Sequence, residues 1–248
     1  MKMLTYGHRG FSSSYPENTM LAFKAAVNEA HCDGIELDVH LSKDDQLVII
    51  HDERVDRTTN GSGFVKDLSY SELRELDASY KFPQFKGKAK IPLFEEYCQF
   101  ISKNPTIVTN IEIKTNLVYY KDIEEKVVAM IKKYKIEDNV IISSFNHQSV
   151  VFTKKIDNNI TTGLLVESQG LVNAGYMAHK MGVEFYHPDI STLTKESVDE
   201  CIMNGIALNV WTVNDFESLK KCVDWGITGV ITNYPDIIKE YLVARGLS

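Results

Sequence analysis

Four apolar runs of this sequence end in residues that can do acid, base or ion chemistry: His8-Arg9-Gly10, Glu36-Leu37-Asp38, His51-Asp52 and Glu112-Ile113-Lys114. Each follows or lies inside a strand-like run: Leu4 to Tyr6, Gly34-Ile35, Leu47 to Ile50 and Ile107 to Ile111. Residues i and i+2 of a strand share a face, so Glu36 points with Asp38 and Glu112 with Lys114. If the strands lie side by side, two histidines, the three carboxylates Glu36, Asp38 and Glu112, an arginine and a lysine meet in one volume. Three carboxylates facing one another repel unless a cation sits between them. Oxygen-only ligands favour a hard ion, so Glu36, Asp38 and Glu112 are expected to hold Ca²⁺ or Mg²⁺ rather than zinc. Arg9 and Lys114 add positive charge beside it, a natural cradle for a phosphoryl group and the charge that grows on it. His8 and His51 have the pKa range for one to accept a proton and the other to donate it. Which does which stays open, and so does the attacker, water or a hydroxyl of the substrate itself.

Such side chains need strands that deliver them to one end of a scaffold. A helix is predicted after Pro16-Glu17-Asn18-Thr19, with Leu21, Phe23, Ala26, Val27 and Ala30 at helical spacing. Gly34 to Val39 and Leu47 to His51 read as strands joined by the short polar turn Ser42 to Asp45, which makes the second a hairpin partner. Residues 53–90 read as a small insertion, too short to bury a core alone. From Ile107 onward strands alternate with amphipathic helices: 107–113 then 122–134, 140–143 then 148–156, 162–166 then 171–181, 183–186 then 195–204, 207–211 then 215–224, and 229–232 then 235–244. Near-continuous apolar strands alternating with helices indicate a buried parallel sheet. With the runs at Leu4 and Ile35 the staves number eight. The expected fold is therefore α/β, a (β/α)8 TIM barrel with a small insertion after the second strand region, in one domain over residues 1–248. Barrel sites lie at the C-terminal strand ends, where His8, Glu36, Asp38, Glu112, Lys114 and Trp211 fall. Trp211 is expected to line the mouth and touch the leaving group, with Phe145 similar. His187 ends the sixth stave near that mouth, whereas His31, His40 and His179 read as structural and His147 as a cap-region residue.

The 248 residues are 44% apolar and 25% charged, enough to build one large core. A net charge of −7 argues against a general nucleic-acid or anionic-membrane surface. The four cysteines show neither CxxC nor zinc spacing and are expected as free thiols. The N-terminus carries no apolar leader, and no window reaches the roughly 18 apolar residues of a span. A soluble, cytoplasmic protein is expected, with no nucleic-acid partner and no stable membrane insertion; a homo-oligomer stays open.

Eight ordered motifs make the reading specific. They are His8-Arg9-Gly10, Pro16 to Thr19, Glu36 to Asp38, His51-Asp52, Asn110 to Lys114, Ile142 to Phe145, Val210 to Asn214 and Ile231 to Pro235. In this order they resemble the glycerophosphodiester phosphodiesterases, and Arg57 to Gly63 looks like the start of that family's insertion. The resemblance implies a barrel of the phosphatidylinositol-phospholipase-C type, a divalent metal on Glu36, Asp38 and Glu112, and His8 with His51 as acid/base pair. It implies hydrolysis of small glycerophosphodiesters to sn-glycerol 3-phosphate and an alcohol such as choline, ethanolamine or glycerol. Glu17 and Asn18 then have two readings, a helix start after Pro16 or a contact to the substrate glycerol. A lipid-sized substrate is the rival within enzymes, and a non-catalytic phosphodiester sensor is the rival outside them. Leu93 stands where many members have threonine, which implies a missing helix cap rather than missing activity.

Overall fold

Parallel pairing runs unbroken around eight strands. In chain order the elements are β1 (Leu4–Gly7), α1 (Met20–Asn28), β2 (Gly34–Leu41), β3 (Leu47–Ile49), α2 (Tyr70–Glu75), α3 (Phe94–Ile101) and β4 (Val108–Ile113). They continue with α4 (Ile123–Tyr134), β5 (Val140–Ser144), α5 (His147–Ile156), β6 (Thr161–Val166), α6 (Ala174–Met181) and β7 (Phe185–Pro188). The last are α7 (Lys195–Met203), β8 (Ala207–Val210), α8 (Phe216–Trp225), β9 (Gly229–Thr232) and α9 (Pro235–Val243). The sheet order is β1-β9-β8-β7-β6-β5-β4-β2-β3, and a β1–β2 pairing closes it into a (β/α)8 barrel. β3 is the extra strand, antiparallel to β2 through Val39↔Ile49 and Leu41↔Leu47, as its short turn predicts. The computed structural model describes residues 2–79, 81–167 and 170–248; Met1 and Tyr80, at the edge of the predicted domain and inside the predicted insertion, lie outside them with Ser168 and Gln169.

Two apolar clusters fill the space between barrel and helices. One joins Phe23, Leu37, Phe94, Tyr97, Ile111 and Ile131; the other joins Leu164, Val198, Leu208, Leu219, Val230 and Leu242. A third, smaller cluster sits under the insertion, where Val55, Val65, Leu73 and Ile91 cover Val48 and Ile50 of the hairpin. Inside the barrel the fully buried Tyr6 takes a large share of the space. A Cβ on Gly34 would stand 2.3 Å from its ring, so this stave needs glycine there.

Boundaries differ from the sequence reading mostly by a residue or two. The sixth stave, β7, is displaced by two residues at both ends, to Phe185–Pro188, which carries His187 into the barrel wall. It is fully buried there, 3.4 Å from Asn209, and not at the mouth. α6 starts at Ala174 rather than Leu171. The helix after Pro92 begins at Phe94 with no side-chain cap from Leu93, in line with the missing threonine. The four cysteines are free and buried. Among the described residues no helix is long and apolar enough to cross a membrane.

Candidate active site

The turn after β1 is bent into shape by backbone that few side chains tolerate. Arg9 has φ 55° and Gly10 φ 81°, both left-handed. A Cβ on Gly10 would lie 2.7 Å from the Ala22 carbonyl carbon of α1. The bend points the Arg9 N–H at Glu36 Oε2, 2.9 Å away, while the Arg9 carbonyl accepts from the Asn18 N–H at 3.0 Å. Asn18, itself at φ 55°, donates its amide to Asp38 Oδ2 at 2.8 Å. Thr19 then caps α1 by accepting from the Ala22 N–H.

The i, i+2 pairs meet across neighbouring staves, with Asp38 of β2 opposite Glu112 of β4. Glu36, Asp38 and Glu112 each offer an oxygen, all within 4.8 Å of one another, and all three are buried. Lys114 Nζ stands 3.0 Å from Asp38 Oδ1 and 2.5 Å from Glu112 Oε1. Those two oxygens nonetheless lack an aligned hydrogen bond. Burial and the neighbouring carboxylates push Glu36 well above the usual range, and burial raises Glu112 despite Lys114. Burial would raise Asp38 too, but Lys114, His51 and Arg9 hold it down. Burial disfavours the Lys114 ammonium, yet Asp38 and Glu112 outweigh it and raise its pKa.

The donor set fits a divalent ion. Before either histidine is protonated, five carboxylates (Glu17, Glu36, Asp38, Asp52 and Glu112) face three cations, Arg9, Arg57 and Lys114, in this ion-pair network. The excess of two negative charges matches one such ion held by oxygen ligands.

The histidines have unlike partners. His8 Nδ1 lies 2.7 Å from Asn233 Oδ1 beyond β9, which leaves Nε2 to the cavity, 3.9 Å from Glu36 Oε2. Burial first and Arg9 second lower its pKa to about 3. His51, beyond β3, donates its Nδ1–H to Asp52 Oδ1 at 2.6 Å. Its carbonyl lies 3.1 Å from His40 Nε2, and His40 is held in turn by the Tyr120 hydroxyl at 3.0 Å, so His40 is a buried brace. Asp52 is locked by Arg57 at 2.6 and 2.8 Å.

A cavity of about 320 Å³ opens over this cluster. His8, Arg9, Glu36, His51, Glu112, Lys114, Phe145 and Trp211 line it, joined by Glu53, Asn110, Asn116 and Glu167. Phe145 and Trp211 meet edge to face at 5.7 Å, with the Trp211 Nε1–H anchored on the His187 carbonyl at 2.8 Å. Two of the expected residues stay off its wall. Asp38 is fully buried, bonded by the Asn18 amide and flanked by Arg9 and Lys114. Glu17 gives both oxygens to guanidinium groups, 2.8 Å to Arg9 and 2.7 and 2.9 Å to Arg57. Burial opposes its charge, but the two arginines hold its pKa near 2.

The sequence reading gives no supporting role to Asp52, Arg57 or Asn233, and for Asn18 it offers a helix start or a glycerol contact rather than the bond to Asp38. His51-Asp52 adjacency is the one local signal among them. Asn110 is a further case: it is buried, and its unpartnered Nδ2 belongs to a side chain on the cavity wall.

Known proteins carry the same framework. Residues 8–237 match the glycerophosphoryl diester phosphodiesterase family. A glycerophosphodiester phosphodiesterase of Caldanaerobacter subterraneus subsp. tengcongensis is 45% identical, over 99% of this chain and 100% of that protein. One from Bacillus altitudinis is 39% identical, over 93% and 94%. The crystal structure of an Oleispira antarctica phosphodiesterase with its product sn-glycerol-3-phosphate is 27% identical, over 97% of this chain and 96% of that one, with a TM-score of 0.87. With nearly its whole length matched and relatives of that name above 30% identity, the chain belongs to the glycerophosphoryl diester phosphodiesterase family.

Proposed function

We propose that this phosphodiesterase, one domain over residues 1–248, hydrolyses small glycerophosphodiesters to sn-glycerol 3-phosphate and an alcohol in the cytoplasm, with His8 and His51 as acid/base pair. The observation that carries it is the convergence of both histidines, Arg9, Lys114, Glu36 and Glu112 on one cavity at the strand ends, with Asp38 buried beside the two carboxylates. A divalent cation, Ca²⁺ or Mg²⁺, held by Glu36, Asp38 and Glu112 would supply Lewis-acid stabilisation of phosphoryl charge. The Oleispira relative bound to sn-glycerol-3-phosphate supports the product class.

Arg9 offers the guanidinium edge left by Glu17 to a non-bridging phosphate oxygen, and Lys114 adds its charge from the β4 side. Glu17 serves the substrate through Arg9, whose direction it sets. Phe145 and Trp211 form the wall for the leaving alcohol. The histidines divide by partner. Asp52 accepts the His51 Nδ1–H and so turns the ring to give a proton from Nε2 to the leaving oxygen. His8, held by a neutral amide beside Arg9, takes the proton of the attacking hydroxyl at its free Nε2.

Purified protein incubated with glycerophosphocholine, with and without a chelator, should release glycerol 3-phosphate only when the divalent ion is available. No product under any metal condition would defeat the reading. Faster turnover of a lysolipid than of glycerophosphocholine would replace the substrate class with a lipid-sized one.

A further inference from the structure

Arg57 stands on the insertion, outside the cavity wall, yet all four of its side-chain hydrogen bonds go to the support of the active site. Its Nε and one Nη donate to Asp52 at 2.6 and 2.8 Å, and its two Nη atoms donate to Glu17 at 2.7 and 2.9 Å. Asp52 carries the His51 Nδ1–H, and Glu17 carries the Arg9 guanidinium. One planar fork therefore joins the partner of a proton-transfer residue to the partner of a phosphate-binding residue.

Its own backbone is braced. Val55 and Thr59 flank it and are buried, the Thr59 N–H and hydroxyl both donate to the Val55 carbonyl, and the Val55 N–H donates to Gly63. The insertion does not depend on Arg57 for its seat. Val55, Val65, Leu73 and Ile91 anchor it on the hairpin, and Phe85 stacks on Tyr15 at 5.1 Å.

We propose that Arg57 is a positioning residue for the reaction: it fixes Asp52, and through Asp52 the His51 ring, against the Glu17–Arg9 side of the cavity. The inference rests on the phosphodiesterase reading above. It also assigns a purpose to the insertion, which delivers that guanidinium. The two arms are unequal. Without Arg57, Arg9 keeps Glu17, Asp38 and its backbone bond to Glu36. Asp52 keeps only His51 among the described residues. The loss therefore falls on proton transfer more than on binding.

The test is a double-mutant cycle on Arg57→Ala and Asp52→Ala with glycerophosphocholine, each variant checked by circular dichroism and thermal melting. Arg57→Ala should lower kcat on the order of 10²-fold, the scale of an ångström-level misplacement, while KM changes less than about threefold. Added guanidinium ion should restore part of that loss. Arg57→Lys should recover little, because an ammonium cannot fork to two carboxylates. In the Asp52→Ala background Arg57→Ala should add no further loss, since both act on one ring. Losses that multiply, or an Arg57→Ala enzyme that melts early but turns over normally, would overturn the inference. If the wild type makes no glycerol 3-phosphate, it is the function reading that fails. The relay is then read by proton NMR: the downfield His51 Nδ1–H signal vanishes in Arg57→Ala if the inference holds and persists if it does not.

Discussion

His8 and His51 reach the same cavity with different second partners, an amide oxygen and a carboxylate. Asp52 fixes the His51 ring through its Nδ1–H, which suits Nε2 to the donor role, and this has a consequence that depends on the leaving group. A 4-nitrophenolate needs no proton to depart, whereas a choline alkoxide does. His51→Ala should therefore cost on the order of 10²–10⁴ in kcat with glycerophosphocholine and far less with a glycerophospho-4-nitrophenyl ester. His8→Ala should lose a similar factor on both substrates. Equal losses on both substrates for His51→Ala would reverse the assignment. At this scale the strand-borne residues are legible in the sequence, because the two-residue period fixes which side chains share a face. Glu36 with Asp38 and Glu112 with Lys114 follow from it directly. Arg57 and Asn233 do not, since they reach the site from loops whose spacing carries no periodic signal.

The turn between β1 and α1 is the element on which both Arg9 and Glu36 depend. Gly10 at φ 81° lies against the Ala22 backbone, so Gly10→Ala meets both a left-handed strain and a collision with main chain that cannot rotate away. It should cost at least about 2 kcal/mol in urea unfolding and lower activity by displacing Arg9. A variant of unchanged stability would show that the turn relaxes freely. The staves themselves are legible as apolar runs alternating with helical patterns, and the hairpin as a short polar link. The end of the sixth stave is not. His187-Pro188 reads as a polar exit, but the barrel interior holds a polar layer with Asn209, so the strand continues through it. Periodicity sees the apolar face between sheet and helices; the inside of a closed barrel obeys no such rule. The insertion is legible only as a break in pattern, because its small cluster is assembled from scattered residues such as Val55, Leu73 and Ile91.

For the whole molecule, charge decides more than area. The chain carries a net −7, and three of its carboxylates are buried together at the barrel mouth, where the trio lies within 4.8 Å. The three side chains are buried, so the repulsion is poorly screened. Glu36 bears the sharpest consequence: burial and its two carboxylate neighbours make its ionised form unfavourable in the folded state. A group whose folded pKa is raised above its unfolded value costs stability at neutral pH, where folding must hold the charge. Two opposite outcomes follow for metal-stripped protein. Adding Ca²⁺ or Mg²⁺ at a hundredfold excess over its Kd should stabilise the wild type by about 2.7 kcal/mol. For a chain of this size that raises Tm by roughly 5–10 °C. Glu36→Gln keeps an acceptor for the Arg9 N–H but removes one charge, so the stripped variant should melt at or above the stripped wild type. The same variant should lose most of its response to the ion, and its turnover with it. The measurement is a calorimetric scan of both proteins across an ion titration. A wild type whose Tm ignores both ions, or a Glu36→Gln variant that responds as fully as the wild type, would remove the cation from this trio.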